Sequence, residues 1–230
     1  MMTPKQRRAR NAYERDRRRL HRIHLFEKAA REKGYVYVGG VDEVGRGPLA
    51  GPVVAACVVA SEPLMIRGLN DSKQVLADLR VEMAETIKAK CAAWAIGVSS
   101  VEEINRLNIY WASVLAMERA IGALTIPPQY LITDAVRIKS FCGPQEPLIK
   151  GDARSAVVAA ASIVAKVYRD ELLVELHKSD PRYGFADHKG YATPEHIRAL
   201  GVHGPSQHHR SNWWRVREAQ VAFGLELVED

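Results

Sequence analysis

From residue 35 onward, short continuous apolar runs alternate with stretches of helical spacing. Tyr35-Val36-Tyr37-Val38 reads as a strand leading through Gly39-Gly40-Val41 to Asp42, with the turn-rich Gly45-Arg46-Gly47-Pro48 behind it. Val53-Val54-Ala55-Ala56-Cys57-Val58-Val59 predicts a second strand and Trp94-Ala95-Ile96-Gly97-Val98 a third. Helical periodicity fills Asp78 to Lys90 between them. Ser100, followed by Glu102 and Glu103, has the pattern of a helix N-cap with acidic residues in its first turn. A further helix is expected from about Ile109 to Ile121. Pro127-Pro128 breaks the chain before a short buried strand, Tyr130-Leu131-Ile132-Thr133. Asp152 to His177 is the clearest helix, with Ala-rich faces suited to close packing. The C-terminal portion, punctuated by Pro181, Pro194 and Pro205, is helical and irregular. Strands alternating with helices predict an α/β fold.

Residues 1–33 follow a different pattern. Leu20, Ile23 and Phe26 fall at helical spacing in an otherwise polar stretch that Gly34 ends. The apolar heptad positions do not persist long enough for a coiled coil. This segment holds twelve Lys+Arg against four Asp+Glu, a balance of +8, which leaves −2 for the other 197 residues of a chain whose net charge is +6. A basic helical extension over 1–33 and a single α/β domain over 34–230 are therefore expected. Such an extension suits polyanions, whose phosphates release counterions on binding, and a solvated tail is the alternative. Its removal is expected to weaken polyanion binding while sparing the chemistry.

Composition narrows the classes. The chain is 47 % hydrophobic over 230 residues, enough for one sizeable domain with an appendage. Cys57, Cys91 and Cys142 are odd in number and far apart, so they read as reduced core thiols of a cytoplasmic protein rather than as a disulfide framework. The longest apolar run, Val53 to Ala60, is far too short to span a bilayer. His188, His203, His208 and His209 lack cysteine partners and any zinc-ligand spacing.

Acidic residues stand at the ends of elements. Asp42-Glu43 closes the first strand, Asp134 closes the strand at 130–133, and Asp152 opens the long helix. Carboxylates at adjacent strand ends and a facing helix start can converge on one pole of a sheet, a hard oxygen cluster suited to Mg²⁺ or Mn²⁺. Successive strand residues point to opposite faces, so Asp42 and Glu43 share a site only if the chain bends there or the Glu43 carbonyl takes part. Read singly, Asp152 is as well explained as a helix N-cap and Asp134 as a turn residue.

Gly40-Val41-Asp42-Glu43-Val44-Gly45-Arg46-Gly47-Pro48-Leu49-Ala50-Gly51-Pro52-Val53 resembles the N-terminal signature of the ribonuclease HII family (type 2 ribonuclease H). Leu69-Asn70-Asp71-Ser72-Lys73, Asp134-Ala135 and Lys150-Gly151-Asp152 follow in family order, as does Ala159 to Asp170. Tyr183-Gly184-Phe185, His188 to Thr193 and His209-Arg210 complete the set, so the resemblance covers roughly residues 35–212. It implies a ribonuclease H-like mixed sheet flanked by helices, with a helical C-terminal portion. By that resemblance Asp42, Glu43, Asp134 and Asp152 are the catalytic, metal-holding carboxylates, and two Mg²⁺ or Mn²⁺ ions act during catalysis.

The same resemblance implies a monomer acting on RNA–DNA hybrids and on duplex DNA that contains ribonucleotides, cut 5′ of the ribonucleotide to leave 3′-hydroxyl and 5′-phosphate ends. Gly45, Arg46 and Gly47, with Tyr191, are the positions that read the junction of ribose and deoxyribose. Ser72, Lys73, Lys189 and Arg210 are further substrate contacts. Two departures stand out. Val44 occupies a position where many members carry Ala, and the C-terminal block reads His208-His209-Arg210-Ser211-Asn212-Trp213 where Arg-Arg-Ser-Phe commonly follows the His. A type 3 ribonuclease H, which needs a run of ribonucleotides, and a catalytically silent hybrid-binding protein are the competing functions.

Overall fold

The apolar run at 53–60 is buried at every position, because it forms a strand covered on both faces. The computed structural model describes residues 3–70, 72 and 75–224. In chain order its elements are α1 (Pro4–Ile23), α2 (Leu25–Glu32), β1 (Val38–Val44), β2 (Val53–Ala60), α3 (Ala77–Lys90), β3 (Ala93–Ser99) and α4 (Val101–Gly122). Then come β4 (Tyr130–Asp134), β5 (Gln145–Leu148), α5 (Gly151–Arg154), α6 (Ala156–Ser179), α7 (Phe185–His188), α8 (Pro194–His203) and α9 (Trp214–Ala222), with a 3-10 turn at Pro181–Tyr183.

The described strands form one mixed sheet in the order β3-β2-β1-β4-β5. β1 pairs antiparallel with β2 and parallel with β4, while β2–β3 is antiparallel and β4–β5 parallel. Alternation along β2 divides the core. Val54, Ala56 and Val58 join α6 in one cluster, and Val53, Ala55 and Cys57 join the α4 residues Ala112, Ala116 and Met117 in another. The α/β expectation holds, with the flanking helices the ribonuclease H-like pattern requires.

Close approach of α6 to the sheet depends on small residues. Ala159, Ala160 and Ala161 are fully buried, and a Cβ on Gly40 would lie 2.3–2.6 Å from backbone atoms of Val157 and Val158. The obstacle is backbone, so Gly40→Ala must lever α6 off β1. We expect a loss of about 1–3 kcal/mol, read as a lower thermal midpoint. An unchanged midpoint would mean that α6 sits farther from the sheet.

Four sequence expectations need correction. β1 continues through Val44, so Asp42 and Glu43 lie inside the strand instead of closing it. The helix expected from Asp152 is two pieces: Asp152 lies on the single turn α5, and Ser155 caps α6 by accepting from the Val158 N–H. Lys150 stands in the left-handed region just before (φ 58°). The edge strand β5 was not anticipated, because it is short and contains Pro147, which an edge position tolerates. Of the three cysteines only Cys57 is a core thiol, since Cys91 is half-buried and Cys142 exposed.

The basic segment is helical, but its second half is built into the core. Leu20, Ile23 and Ala30 are buried there. Glu27, 1 % exposed, accepts from Ser155 Oγ at 2.7 Å and from the Val157 N–H at 3.1 Å, so α2 secures the start of α6. Asp16 accepts from the Gly68 N–H at 3.2 Å and Arg19 donates to the Leu69 carbonyl. Removing all of residues 1–33 would therefore take away buried core side chains and the Glu27 contacts at the start of α6.

Candidate active site

The parallel pairing of β1 with β4 brings the C-terminal ends of both strands to one pole of the sheet, and α5 follows β5 at that pole. A cavity of about 330 Å³ opens there. Asp42, Glu43, Asp134 and Asp152 line it together with Gly45, Arg46, Gly47, Ser72, Ser162 and Tyr191. Asp42 and Glu43 both line it although they are neighbours within β1, with only Val44 between them and the turn. Gly45 makes that turn with φ 99°, and a Cβ there would meet Arg169 Nε at 2.3 Å.

Neighbouring polar groups orient the carboxylates. Asp134 Oδ1 accepts from the Gly151 N–H at 2.7 Å. Asp42 is buried and accepts from Ser162, whose Oγ lies 3.1 Å from Ser72 Oγ. A hydroxyl has one proton, so with Ser162 donating to Asp42 the Ser72 hydroxyl becomes the donor to Ser162. Glu43 Oε1 lies 3.3 Å from Arg46 Nη1, while its buried Oε2 has no hydrogen-bond partner.

Burial pushes the Asp42 carboxyl well above its ordinary range, and the charges of Glu43, Asp134 and Asp152 add to that, against the Ser162 bond. Burial raises Glu43 too, with Arg46 opposing. Among the described residues no group of three His, Cys, Asp or Glu side chains is drawn together closely enough to hold a metal ion. The unpartnered Glu43 oxygen and the all-oxygen donor set fit a hard divalent cation.

The sequence profile of the family described as Ribonuclease HII matches residues 39–216. The chain belongs to the ribonuclease HII family. It is 49 % identical over 201 residues to ribonuclease HII of Pelotomaculum thermopropionicum, covering 86 % of this chain and 76 % of that one. It is 45 % identical over 217 residues to the Myxococcus xanthus protein of the same name, covering 93 % and 74 %. The fold resembles the crystal structure of ribonuclease H2 from Pyrococcus horikoshii, with a TM-score of 0.70 at 24 % identity over 83 % of this chain and 100 % of that one. As a ribonuclease HII family member, the protein is a divalent-metal-dependent enzyme that cleaves the RNA strand of RNA–DNA hybrids.

The other family positions divide. Arg46 is exposed at the rim and Tyr191, 41 % exposed, stands beside it with Lys166 Nζ 5.9 Å over its ring. Lys73 lies outside the described residues. Lys189 does not line the cavity: its amine donates to the Ala186 carbonyl. Arg210 departs most from expectation. It is completely buried, donating to the carbonyls of Gly45 at 2.5 Å, Arg46 at 3.0 Å and Gly51 at 2.8 Å. Burial, then the charge of Arg169, brings its guanidinium down to about 9. It supports the Gly-Arg-Gly turn from beneath instead of meeting a phosphate.

Two supporting residues escaped the sequence reading. Ser162 orients Asp42, and Arg169 donates to the carbonyls of Pro52, Ala50 and Lys189, tying the turn to the Tyr191 loop. Their signal was available: Ser162, Lys166 and Arg169 recur at spacings of four and three in the first half of α6, where the other residues from Ala156 to Tyr168 are aliphatic or aromatic.

Proposed function

We propose that the protein cuts 5′ of single ribonucleotides embedded in duplex DNA as well as the RNA strand of continuous hybrids, leaving 3′-hydroxyl and 5′-phosphate ends. One observation carries this reading: a single cavity sets the four carboxylates beside Gly45-Arg46-Gly47 and Tyr191. The 2′-hydroxyl is what distinguishes RNA from DNA. Gly45 and Gly47 let peptide groups approach a ribose, Arg46 reaches a phosphate from the rim, and the Tyr191 ring packs on the following deoxyribose, which lacks that hydroxyl.

Asp42, Glu43, Asp134 and Asp152 would hold two divalent cations, Mg²⁺ or Mn²⁺, whose Lewis acidity would favour ionisation of a water nucleophile and offset charge on the leaving oxygen. Ser162 and the Gly151 N–H keep Asp42 and Asp134 aimed at that position. Ser72 supports Ser162, and Lys73 contributes a phosphate contact. The setting would be ribonucleotide excision and primer removal by a cytoplasmic monomer. No described helix is long and apolar enough to cross a membrane. The test is an end-labelled duplex with one ribonucleotide: a product ending in a 3′-hydroxyl immediately 5′ of that ribonucleotide supports the reading, and a cut elsewhere sinks it.

The exposed arginines of α1, among them Arg7, Arg8, Arg10 and Arg15, would grip the flanking duplex. Deleting residues 1–15 leaves the docked turns from Asp16 onward. Weaker hybrid binding at low salt is expected, with a log affinity–log salt slope shallower by about one per lost phosphate contact. An unchanged slope would return α1 to the role of a solvated helix.

A further inference from the structure

The loop that carries Tyr191 is held by histidines the reaction does not use. His196, on α8, is fully buried, and its Nδ1 lies 2.9 Å from the Tyr191 carbonyl oxygen. A carbonyl only accepts, so Nδ1 carries the proton, and a neutral ring then leaves Nε2 as an acceptor. That Nε2 lies 3.0 Å from Nε2 of His209. His209 Nδ1 accepts the Ser206 N–H at 3.0 Å, which puts the His209 proton on Nε2. Both conditions agree on one arrangement: Ser206 N–H to His209, His209 Nε2–H to His196, His196 Nδ1–H to Tyr191.

The arrangement requires both rings neutral, since a proton added to His196 would set two N–H groups against each other. Burial supplies this condition by pushing His196 down to about 4 and His209 to about 3. His188 stacks on His196, with ring centroids 4.4 Å apart, and accepts the Gly190 N–H at 3.2 Å. At the other end, His209 forms an isolated bridge with Ala50, and the Leu49 N–H donates to the Gly190 carbonyl at 2.8 Å. The histidine pair therefore joins the Tyr191 loop to the segment that follows Gly45-Arg46-Gly47.

We propose that His196 and His209 are positioning residues whose ordered hydrogen bonds fix the Tyr191 carbonyl, and with it the angle at which the Tyr191 ring meets substrate, setting preference for a single ribonucleotide over a continuous hybrid. This rests on the reading of Tyr191 as the junction residue. The relay does not touch the carboxylates, so its loss acts on how the junction is held.

Three full-length variants test it. His196→Phe keeps the ring and removes both nitrogens, His196→Asn keeps a donor near the Nδ1 position, and Tyr191→Ala is the reference. kcat/KM is measured on a one-ribonucleotide duplex and on a continuous hybrid. His196→Phe should lower the ratio of the two about tenfold, chiefly through KM on the first duplex, and His196→Asn should restore most of it. Nitrogen-15 spectra of the wild-type imidazoles at pH 7 should show His196 protonated at Nδ1 and His209 at Nε2. The opposite tautomer in either ring overturns the proposal. So does an unchanged ratio in folded His196→Phe when Tyr191→Ala lowers it. An unchanged ratio in Tyr191→Ala overturns the junction reading and the selectivity claim together, while the tautomers still decide the relay.

Discussion

In a protein carrying Asp42→Asn, hybrid cleavage at saturating Mg²⁺ should fall about a thousandfold, while the metal-free protein should melt at a higher temperature than wild type. Both effects come from one cause. The Asp42 carboxylate is buried against Glu43, Asp134 and Asp152, so its folded-state proton affinity is raised. The unfolded chain gives up that proton near the ordinary 3.8, whereas the folded chain holds it. Stability from this group is therefore full below about 3.8 and is lost as pH rises through the folded value. Asn keeps an acceptor for Ser162 and carries no charge, so the gap in melting temperature should widen from pH 4 to pH 8. Added Mg²⁺ should narrow it by stabilising wild type alone. A variant that melts below wild type at pH 8 without metal would contradict this account of the site's charge.

Arg210→Met is expected to cost roughly 3 kcal/mol, a fall in melting temperature of about 6–12 °C for a chain of this size. Met fills similar volume but leaves the carbonyls of Gly45, Arg46 and Gly51 without their guanidinium donor. Those carbonyls belong to the turn that faces the carboxylates, so binding of ribonucleotide-containing duplex should weaken as well. Arg210→Lys should recover little, because an ammonium cannot span three carbonyls as a planar fork does. The measurement is thermal unfolding with parallel binding. A variant of wild-type stability and weakened, less salt-sensitive binding would instead mark Arg210 as a phosphate contact.

Arg210 also shows where the sequence stops speaking. Its charge is visible in the chain, but the carbonyls that gather around it come from residues about 160 positions away, and no local pattern announces their convergence. The reverse holds for Val53–Ala60, whose unbroken apolar run states its own two-sided burial. The carboxylates fell between these cases. Their places at the ends of elements were legible, yet two of those ends were misjudged. β1 runs past Asp42 because Val44 still pairs with Val54. Asp152 is separated from α6 by the extended Ser155, which reserves the cap for itself. The break at Asn108 was legible: a second helix was expected from about Ile109, and there the backbone leaves the helical region (φ 66°) while the Asn108 side chain accepts from the Tyr110 N–H at 3.0 Å to restart it. Ser155 is the harder case, because a short polar residue that caps from within is difficult to place before the turn it closes is seen.

The most direct test of the central claim compares two duplexes under single turnover with Mg²⁺ or Mn²⁺, one holding a single ribonucleotide and the other four in succession. The arrangement of Gly45-Arg46-Gly47 and Tyr191 beside the carboxylates predicts that both are cut, the first immediately 5′ of its ribonucleotide. Cleavage of the four-ribonucleotide duplex alone, by the same folded preparation, would contradict it.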